Sequence, residues 1–278
     1  MRAPRLFAIL ALWSVGAAAQ DFPLHAIRIE GAERYPAEAI AGLTGLRTGQ
    51  PVNPEHFNEG AQRLAESGFI ASSQFRYEPA EVDGTSGYAV IYRVEEVDKT
   101  TRVLLDIPGQ SEDGLWKALL ERDPLVLPDM PRTPAAEERY LDAVADVIEA
   151  SGAPRPDLEI SLEGDLASGR TAHVILPRDL PLATEIRTEG AEALAGQRIV
   201  NALKGVALGQ PVTERRFLRY VVENVTPLYE EIGHLNIQYP RIELSPFGEG
   251  VAVTLHCEEG IEYQLQGVEL SGEGVDAA

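Results

Sequence analysis

The chain repeats itself, and a repeat limits the choice of fold more than any single motif does. The phrase Ala26-Ile27-Arg28-Ile29-Glu30-Gly31-Ala32-Glu33 returns as Glu185-Ile186-Arg187-Thr188-Glu189-Gly190-Ala191-Glu192, 159 residues further on. Gly49-Gln50-Pro51-Val52 returns as Gly209-Gln210-Pro211-Val212 at an offset of 160. A shorter echo, Val268-Glu269-Leu270-Ser271-Gly272-Glu273, stands 82 residues after the second copy. The first interval is about twice the second, so one degenerate copy fits between, opening at Arg102-Val103-Leu104-Leu105-Asp106-Ile107-Pro108-Gly109. The spacing predicts three modules of roughly 80 residues and the first strand of a fourth.

Residues 1–19 stand apart from the repeat. Met1-Arg2-Ala3-Pro4-Arg5 is a basic start, Leu6 to Val15 is an apolar run too short to span a bilayer, and Ala17-Ala18-Ala19 offers a small-residue cleavage site before Gln20. This is the pattern of a secretory signal peptide, and no cysteine follows it to carry a lipid anchor. No later apolar run is long enough for a transmembrane helix. Cys257 is the only cysteine, so an internal disulfide is excluded and packed cores must hold the fold. The formal charge of −20 repels phosphate backbones, and no basic patch interrupts it. A nucleic-acid partner is therefore not expected.

Within each module the hydrophobic period switches. In the first (22–97), Ala26 to Glu30 reads as a strand and Tyr35 to Leu43 as a short helix with Pro36 in its first turn. Asn53 is placed to cap a second helix in which Phe57, Ala61 and Leu64 share a face, closed by Gly68. Phe75 and Tyr77 then alternate with polar residues, and after the Asp83-Gly84 turn Tyr88, Val90, Tyr92 and Val94 share one face of a strand. The third module (181–262) repeats this order. Leu194 to Leu203 is its first helix, Thr213 caps its second, Pro227 kinks that helix, and Leu235, Ile237 and Tyr239 alternate in a strand. Cys257 falls in register with Val94 and reads as a small core residue. The middle module (98–180) diverges but keeps the order, with helices over Leu115–Leu120 and Ala135–Ser151 and a hairpin built on Leu158, Ile160, Leu162 and Ala172–Leu176. Residues 263–278 are the opening strand of a fourth module or a tail.

Strand, helix, helix, strand, strand, in tandem behind a signal peptide, resembles the POTRA domain of outer-membrane assembly and secretion proteins (the surface-antigen family) of Gram-negative bacteria. The residues that carry the resemblance are Gly31 and Gly190 after the first strands, and the passages Gly68-Phe69-Ile70 and Tyr229-Glu230-Glu231-Ile232-Gly233-His234-Leu235. The endings Val94-Glu95-Glu96 and Cys257-Glu258-Glu259-Gly260 complete it. His234 departs from the family, which more often has an aromatic there. The resemblance implies an α+β fold of tandem modules, each a three-stranded mixed sheet covered on one face by two helices. It also implies a periplasmic location and a non-catalytic role. Outer-membrane protein clients, or periplasmic assembly and chaperone proteins, would be bound by β-strand addition, because an open sheet edge offers unused N–H and C=O groups. The second strand of each module is the family's usual open edge. Here that places partner-binding residues at Ser72, Gln74, Arg76, Asn236 and Gln238. Only sixteen residues follow Glu262, too few for a membrane barrel. The outer membrane itself is a partner only if a barrel follows in a longer chain. An exported scaffold, as in a cell-division or envelope complex, is the alternative use of such domains.

Catalytic signatures are absent from the sequence: HExxH, GxSxG, the phosphate-binding P-loop and CxxC do not occur. His25, His56, His173, His234 and His256 are scattered without metal spacing, although His256 and Glu258 share a strand face. The pairs Glu30/Glu95 and Glu189/Glu258 are expected to neighbour each other as solvated acids. Asn224-Val225-Thr226 matches a glycosylation sequon inside a predicted helix. Neither a metal nor a cofactor is expected.

Overall fold

The computed structural model describes residues 21–164, 169–264 and 266–267. The expected signal peptide, residues 1–19, and the echo at Val268–Glu273 lie outside them. Two compact units divide the chain. One holds the residues up to Thr100 with Asp123–Leu127 and Pro131–Glu138, and the other holds Thr101–Arg122, Pro128–Met130 and the residues from Arg139 onward.

The first sheet is built from β1 (Phe22–Glu30), β2 (Pro51–Val52), β3 (Ile70–Val82) and β4 (Thr85–Glu96), with α1 (Ala37–Leu43) and α2 (Pro54–Glu66) inserted after β1 and β2. Its order is β2-β1-β4-β3, with β1 parallel to β4 and β3 antiparallel to it. Asn53 caps α2: its side chain accepts from the Glu55 amide at 3.0 Å, and the His56 ring in turn accepts from the Asn53 amide at 3.2 Å. This helix lies on the sheet through Phe57, which is fully buried and meets the rings of Phe75, Tyr77 and Tyr88. The Tyr92 hydroxyl donates to the Phe57 carbonyl at 2.9 Å, so the largest polar group in this core is satisfied by helix backbone. Burial pushes the Tyr92 pKa far above the ordinary phenol range.

The second sheet repeats the plan with β5 (Thr100–Leu105), β6 (Asp129–Pro131), β7 (Leu158–Gly164) and β8 (Thr171–Pro177) in the order β6-β5-β8-β7. Its helices are α3 (Glu112–Arg122) and α4 (Pro134–Ala150). The third comprises β9 (Ala183–Glu189), α5 (Gly196–Lys204), α6 (Glu214–Asn224), α7 (Thr226–Glu230), β10 (Gln238–Phe247) and β11 (Gly250–Glu258), with sheet order β10-β11-β9. In all three the first strand runs parallel to the last and the hairpin partner forms an edge; both parallel strands are central in the four-stranded sheets, whereas β9 is itself an edge of the third.

The repeated Gly-Gln-Pro-Val phrase has one job in both copies. Gly49 donates its amide to the Leu24 carbonyl at 2.7 Å while Leu24 donates to Gln50 at 2.9 Å. Gly209 donates to Ala183 at 2.7 Å while Ala183 donates to Gln210 at 3.0 Å. The turn thus clips the approach to the second helix onto the start of the first strand. In the first copy the clip continues as β2, giving four strands where three are expected; in the third it stops at a single bridge between Leu182 and Pro211.

Two further expectations are corrected. Pro227 does more than kink the second helix of the third repeat: it separates α6 from α7, because proline has no amide to continue the ladder. The stretch Leu235–Tyr239 is not a strand throughout. Pairing begins only at Gln238, because Gly233 at φ 89° turns the chain and the Tyr263 amide takes the Gly233 carbonyl at 2.8 Å. Elsewhere β1 begins at Phe22, four residues before Ala26, β3 extends beyond the Phe75–Tyr77 alternation to Ile70 and Val82, and α3 begins three residues before Leu115; the other helix ends differ by one or two residues.

Candidate functional site

The hairpin-partner strands β3, β7 and β10 each form one edge of their sheet, with β2, β6 and β9 at the other. What an edge can offer depends on which of its backbone groups face outward, and that follows from register. Val82 and Thr85 flank a two-residue turn with Asp83 at φ 50° and Gly84 at φ 73°. Such a primed turn closes on a mutually hydrogen-bonded pair, so Val82 and the even-numbered residues above the bulge at Ile70/Ser72 point their backbone groups inward to β4. The odd residues Ser73, Phe75, Tyr77 and Pro79 therefore face out. Pro79, which has no amide to give the ladder, sits where that arrangement allows it.

The same reasoning applies to β10. Phe247 and Gly250 flank its turn, with Gly248 at φ 61°. The outward residues are then Pro240, Ile242, Leu244 and Pro246, and the prolines leave only the Ile242 and Leu244 amides for a partner. On β7 the Arg178 amide donates to the Asp157 carbonyl at 3.0 Å, which turns Leu158, Ile160, Leu162 and Gly164 outward. Leu162 is 65% exposed.

The predicted partner-binding residues fall differently against this frame. Ser72, Gln74 and Arg76 lie on β3 as expected, all exposed. Their backbone groups turn toward β4, and their side chains stand on the sheet face away from α2. There the Ser72 hydroxyl donates to Glu95 at 2.7 Å and Arg76 reaches Glu30 at 2.9 Å. Asn236 lies before β10 and donates its side-chain amide to the Tyr263 hydroxyl at 2.7 Å. Gln238 opens β10, paired with Glu258 ahead of a bulge. The residues that present free-edge backbone on β3 are thus Ser73, Phe75 and Tyr77. The Asp83-Gly84 dipeptide was the sequence signal for them, since it sets the pairing parity.

In the second unit, Glu163, Gly164, Leu218, Arg219, Tyr239 and Ile242 contribute to the lining of a groove of about 610 Å3. Its lining mixes apolar side chains with acidic and basic ones. Both β7 and β10 reach it.

No group of three or more His, Cys, Asp or Glu suited to a metal ion occurs among the described residues. His256 does not pair with Glu258; its ring nitrogens stand 3.4 Å from Glu189 and 3.6 Å from Glu243. Of the glutamates singled out in the sequence, Glu30 accepts from Arg76 and Arg93, and Glu95 from Ser72. Cys257 is 6% exposed, and burial pushes its thiol up to about 11, so it packs as a hydrophobe. Asn224 donates to the Tyr220 carbonyl at the end of α6. Among the described residues no helix is long and apolar enough to cross a membrane.

The family model POTRA, "surface antigen variable number repeat", matches residues 22–97. No curated protein matches the chain. Among solved structures, POTRA1-2 of the periplasmic domain of Omp85 from Anabaena aligns over 88% of this chain and 100% of its own, at 9% identity and a TM-score of 0.26. Haemophilus influenzae BamA POTRA3-5 aligns over 88% and 99%, at 16% identity and a TM-score of 0.27. CdiB from Escherichia coli aligns over 63% of this chain and 30% of its own, at 17% identity and a TM-score of 0.22. Residues 22–97 of this chain form a POTRA domain.

Proposed function

We propose that this chain is a periplasmic protein–protein interaction array of three modules, about 22–97, 98–180 and 181–262, working in outer-membrane protein assembly or secretion. It takes extended segments of outer-membrane protein clients or of assembly partners by strand addition, and it performs no catalysis. The observation that carries this reading is the outer edge of β3. It runs from Ser73 to Tyr77 with no proline, so three amides and three carbonyls face away from β4 in one row. Backbone pairing of this kind tolerates many sequences, which suits the capture of diverse clients. The outward row of β10, by contrast, is shortened by Pro240 and Pro246.

Proline placed at alternate positions tests the reading. Ser73→Pro removes an outward amide that the native sheet does not use, whereas Gln74→Pro removes one that bonds β4. Ser73→Ala controls for the hydroxyl that donates to the Ala61 carbonyl at 3.1 Å. A labelled ten-residue peptide alternating valine with serine serves as the probe, read by fluorescence polarisation. Ser73→Pro is expected to stay folded and to weaken binding roughly 5- to 10-fold relative to Ser73→Ala, the worth of about one hydrogen bond. Gln74→Pro is expected to lower the unfolding midpoint instead. Equal peptide binding by Ser73→Pro and Ser73→Ala would remove β3 as the site.

A further inference from the structure

The second and third sheets are joined by a cluster of charged side chains that their strand-edge role does not require. Helix α6 opens with Thr213-Glu214-Arg215-Arg216 and places Arg219 one turn later. Arg216 reaches Glu163, at the end of β7, through Nε at 2.9 Å and through Nη2 at 2.7 Å. Arg219 Nη1 takes the other oxygen of the same carboxylate at 3.0 Å. Arg215 pairs with Glu112 in the first turn of α3. Thr213 does two things with one hydroxyl: it accepts the Arg216 amide at 3.1 Å, capping α6, and it donates to Asp106 just past β5. Three carboxylates from the second sheet's elements thus meet three guanidiniums and a capping hydroxyl from one helix.

Burial separates this cluster from ordinary surface ion pairs. The Glu163 side chain is 8% exposed, Arg216 14% and Arg219 19%. Asp106 is buried as well, and burial, only partly offset by Thr213 and the nearby Arg215 and Arg216, pushes its carboxyl above the usual range. Charges held this far from water are little screened by salt. Separating them would strand each one without its partner. An apolar patch of Leu104, Ala172, Val174 and Leu176 on the second sheet is buried in the same unit. The groove shared by β7 and β10 has Glu163 and Arg219 in its wall, so its shape depends on this contact.

We propose that the first turns of α6 act as a latch that fixes the second and third sheets as one rigid body in solution. This holds independently of which partner binds, and independently of whether β3 takes a peptide.

The test uses the full chain with spin labels at Ala150→Cys, in the last turn of α4, and Glu249→Cys, in the exposed turn between β10 and β11. Cys257 is buried and stays unlabelled. Distances are read by pulsed electron resonance at low salt and in 0.5 M salt. The expected result is one narrow distribution in the otherwise native chain, unchanged by salt. Arg216→Ala combined with Arg219→Ala is expected to broaden it at least twofold. The milder Glu163→Gln, which preserves volume and so keeps the fold under test if the double variant unfolds, is expected to broaden it as well. A broad distribution in the native chain overturns the latch. So does a distribution that stays narrow in the folded variants.

Discussion

Gly31→Ala and Gly190→Ala are each expected to melt the sheet that carries them, at a cost of about 3 kcal/mol or more. Both residues sit at the end of the first strand of a repeat with positive φ, 89° and 73°, where an L side chain is already strained. The steric problem is worse than the torsional one. A Cβ on Gly31 would run into the carbonyl oxygen of Val94, and one on Gly190 into that of Cys257. Both oxygens belong to the central strand of the sheet, so the collision is with backbone and no rotamer relieves it. Relief requires the first strand to draw away from its parallel neighbour, which is the pairing that holds the sheet together. Glycines such as Gly84 and Gly248, whose Cβ would meet nothing, serve as controls, since alanine there costs only the torsional part. Urea unfolding followed by circular dichroism gives the loss. Hydrogen exchange locates it, with the fast amides expected in β1 and β4 for Gly31→Ala and in β9 and β11 for Gly190→Ala. A midpoint shift no larger than that of Gly84→Ala would show that the close approach of glycine and carbonyl is not what the repeat preserves.

The repeat was legible because a stacked β-α-α-β-β unit needs the same backbone solution each time it is built. Gly31 and Gly190, the two Gly-Gln-Pro-Val clips, and the caps Asn53 and Thr213 each answer a local geometric demand, and local demands are written in adjacent residues. Core residues followed for the same reason: Phe57 and Leu64, or Phe217 and Val221, recur at helical spacing and are buried. What was misplaced depended on contacts distant in sequence. Leu235 and Ile237 alternate like a strand, but Tyr263 arrives from beyond β11 and holds Gly233 and Asn236 in a turn. Alternation correctly put Ser72, Gln74 and Arg76 on the exposed face of β3. However, exposure of a side chain and freedom of a backbone amide are separate properties of an edge strand, and the second depends on the turn. The latch on Glu163 was invisible for another reason. Thr213-Glu214-Arg215-Arg216 reads as the solvated start of an amphipathic helix, and nothing nearby announces that its arginines face carboxylates about 50 to 110 residues earlier.

The glutamates at the end of the last strand in the first and third repeats predict a pH-dependent stability whose sign can be worked out. Glu96 stands two residues after Val94 and folds back over the loop that follows Gly31. Its two oxygens accept the amides of Glu33, Arg34 and Tyr35 at 3.0 to 3.2 Å and the Arg34 Nε at 3.2 Å. Glu259, two residues after Cys257, does the same for the loop after Gly190, accepting the Ala193 amide at 2.8 Å and the Leu194 amide at 3.4 Å. Burial works against ionisation of Glu96, whose side chain is 6% exposed. The three amides and the guanidinium outweigh it and hold the carboxyl below the usual range. The balance at Glu259 comes out the same way. A carboxyl with a depressed folded pKa contributes stability above its unfolded value of about 4.3, and that contribution is lost as pH falls through the folded value. Glu96→Gln keeps the shape but leaves one oxygen for three amide donors and turns an NH2 group toward at least one of them. The expected cost at pH 7 is about 2 kcal/mol, the scale of hydrogen bonds to a charged acceptor. The gap between Glu96→Gln and the unaltered chain should stay constant from pH 7 to pH 5 and then close at lower pH, because the native glutamate becomes neutral while the glutamine does not change. Urea midpoints at pH 7, 5 and 3.5 measure it. A gap that persists undiminished at pH 3.5 would mean that Glu96 acts by packing, and the loop after Gly31 would then owe its position to the glycine and the Val94 carbonyl alone.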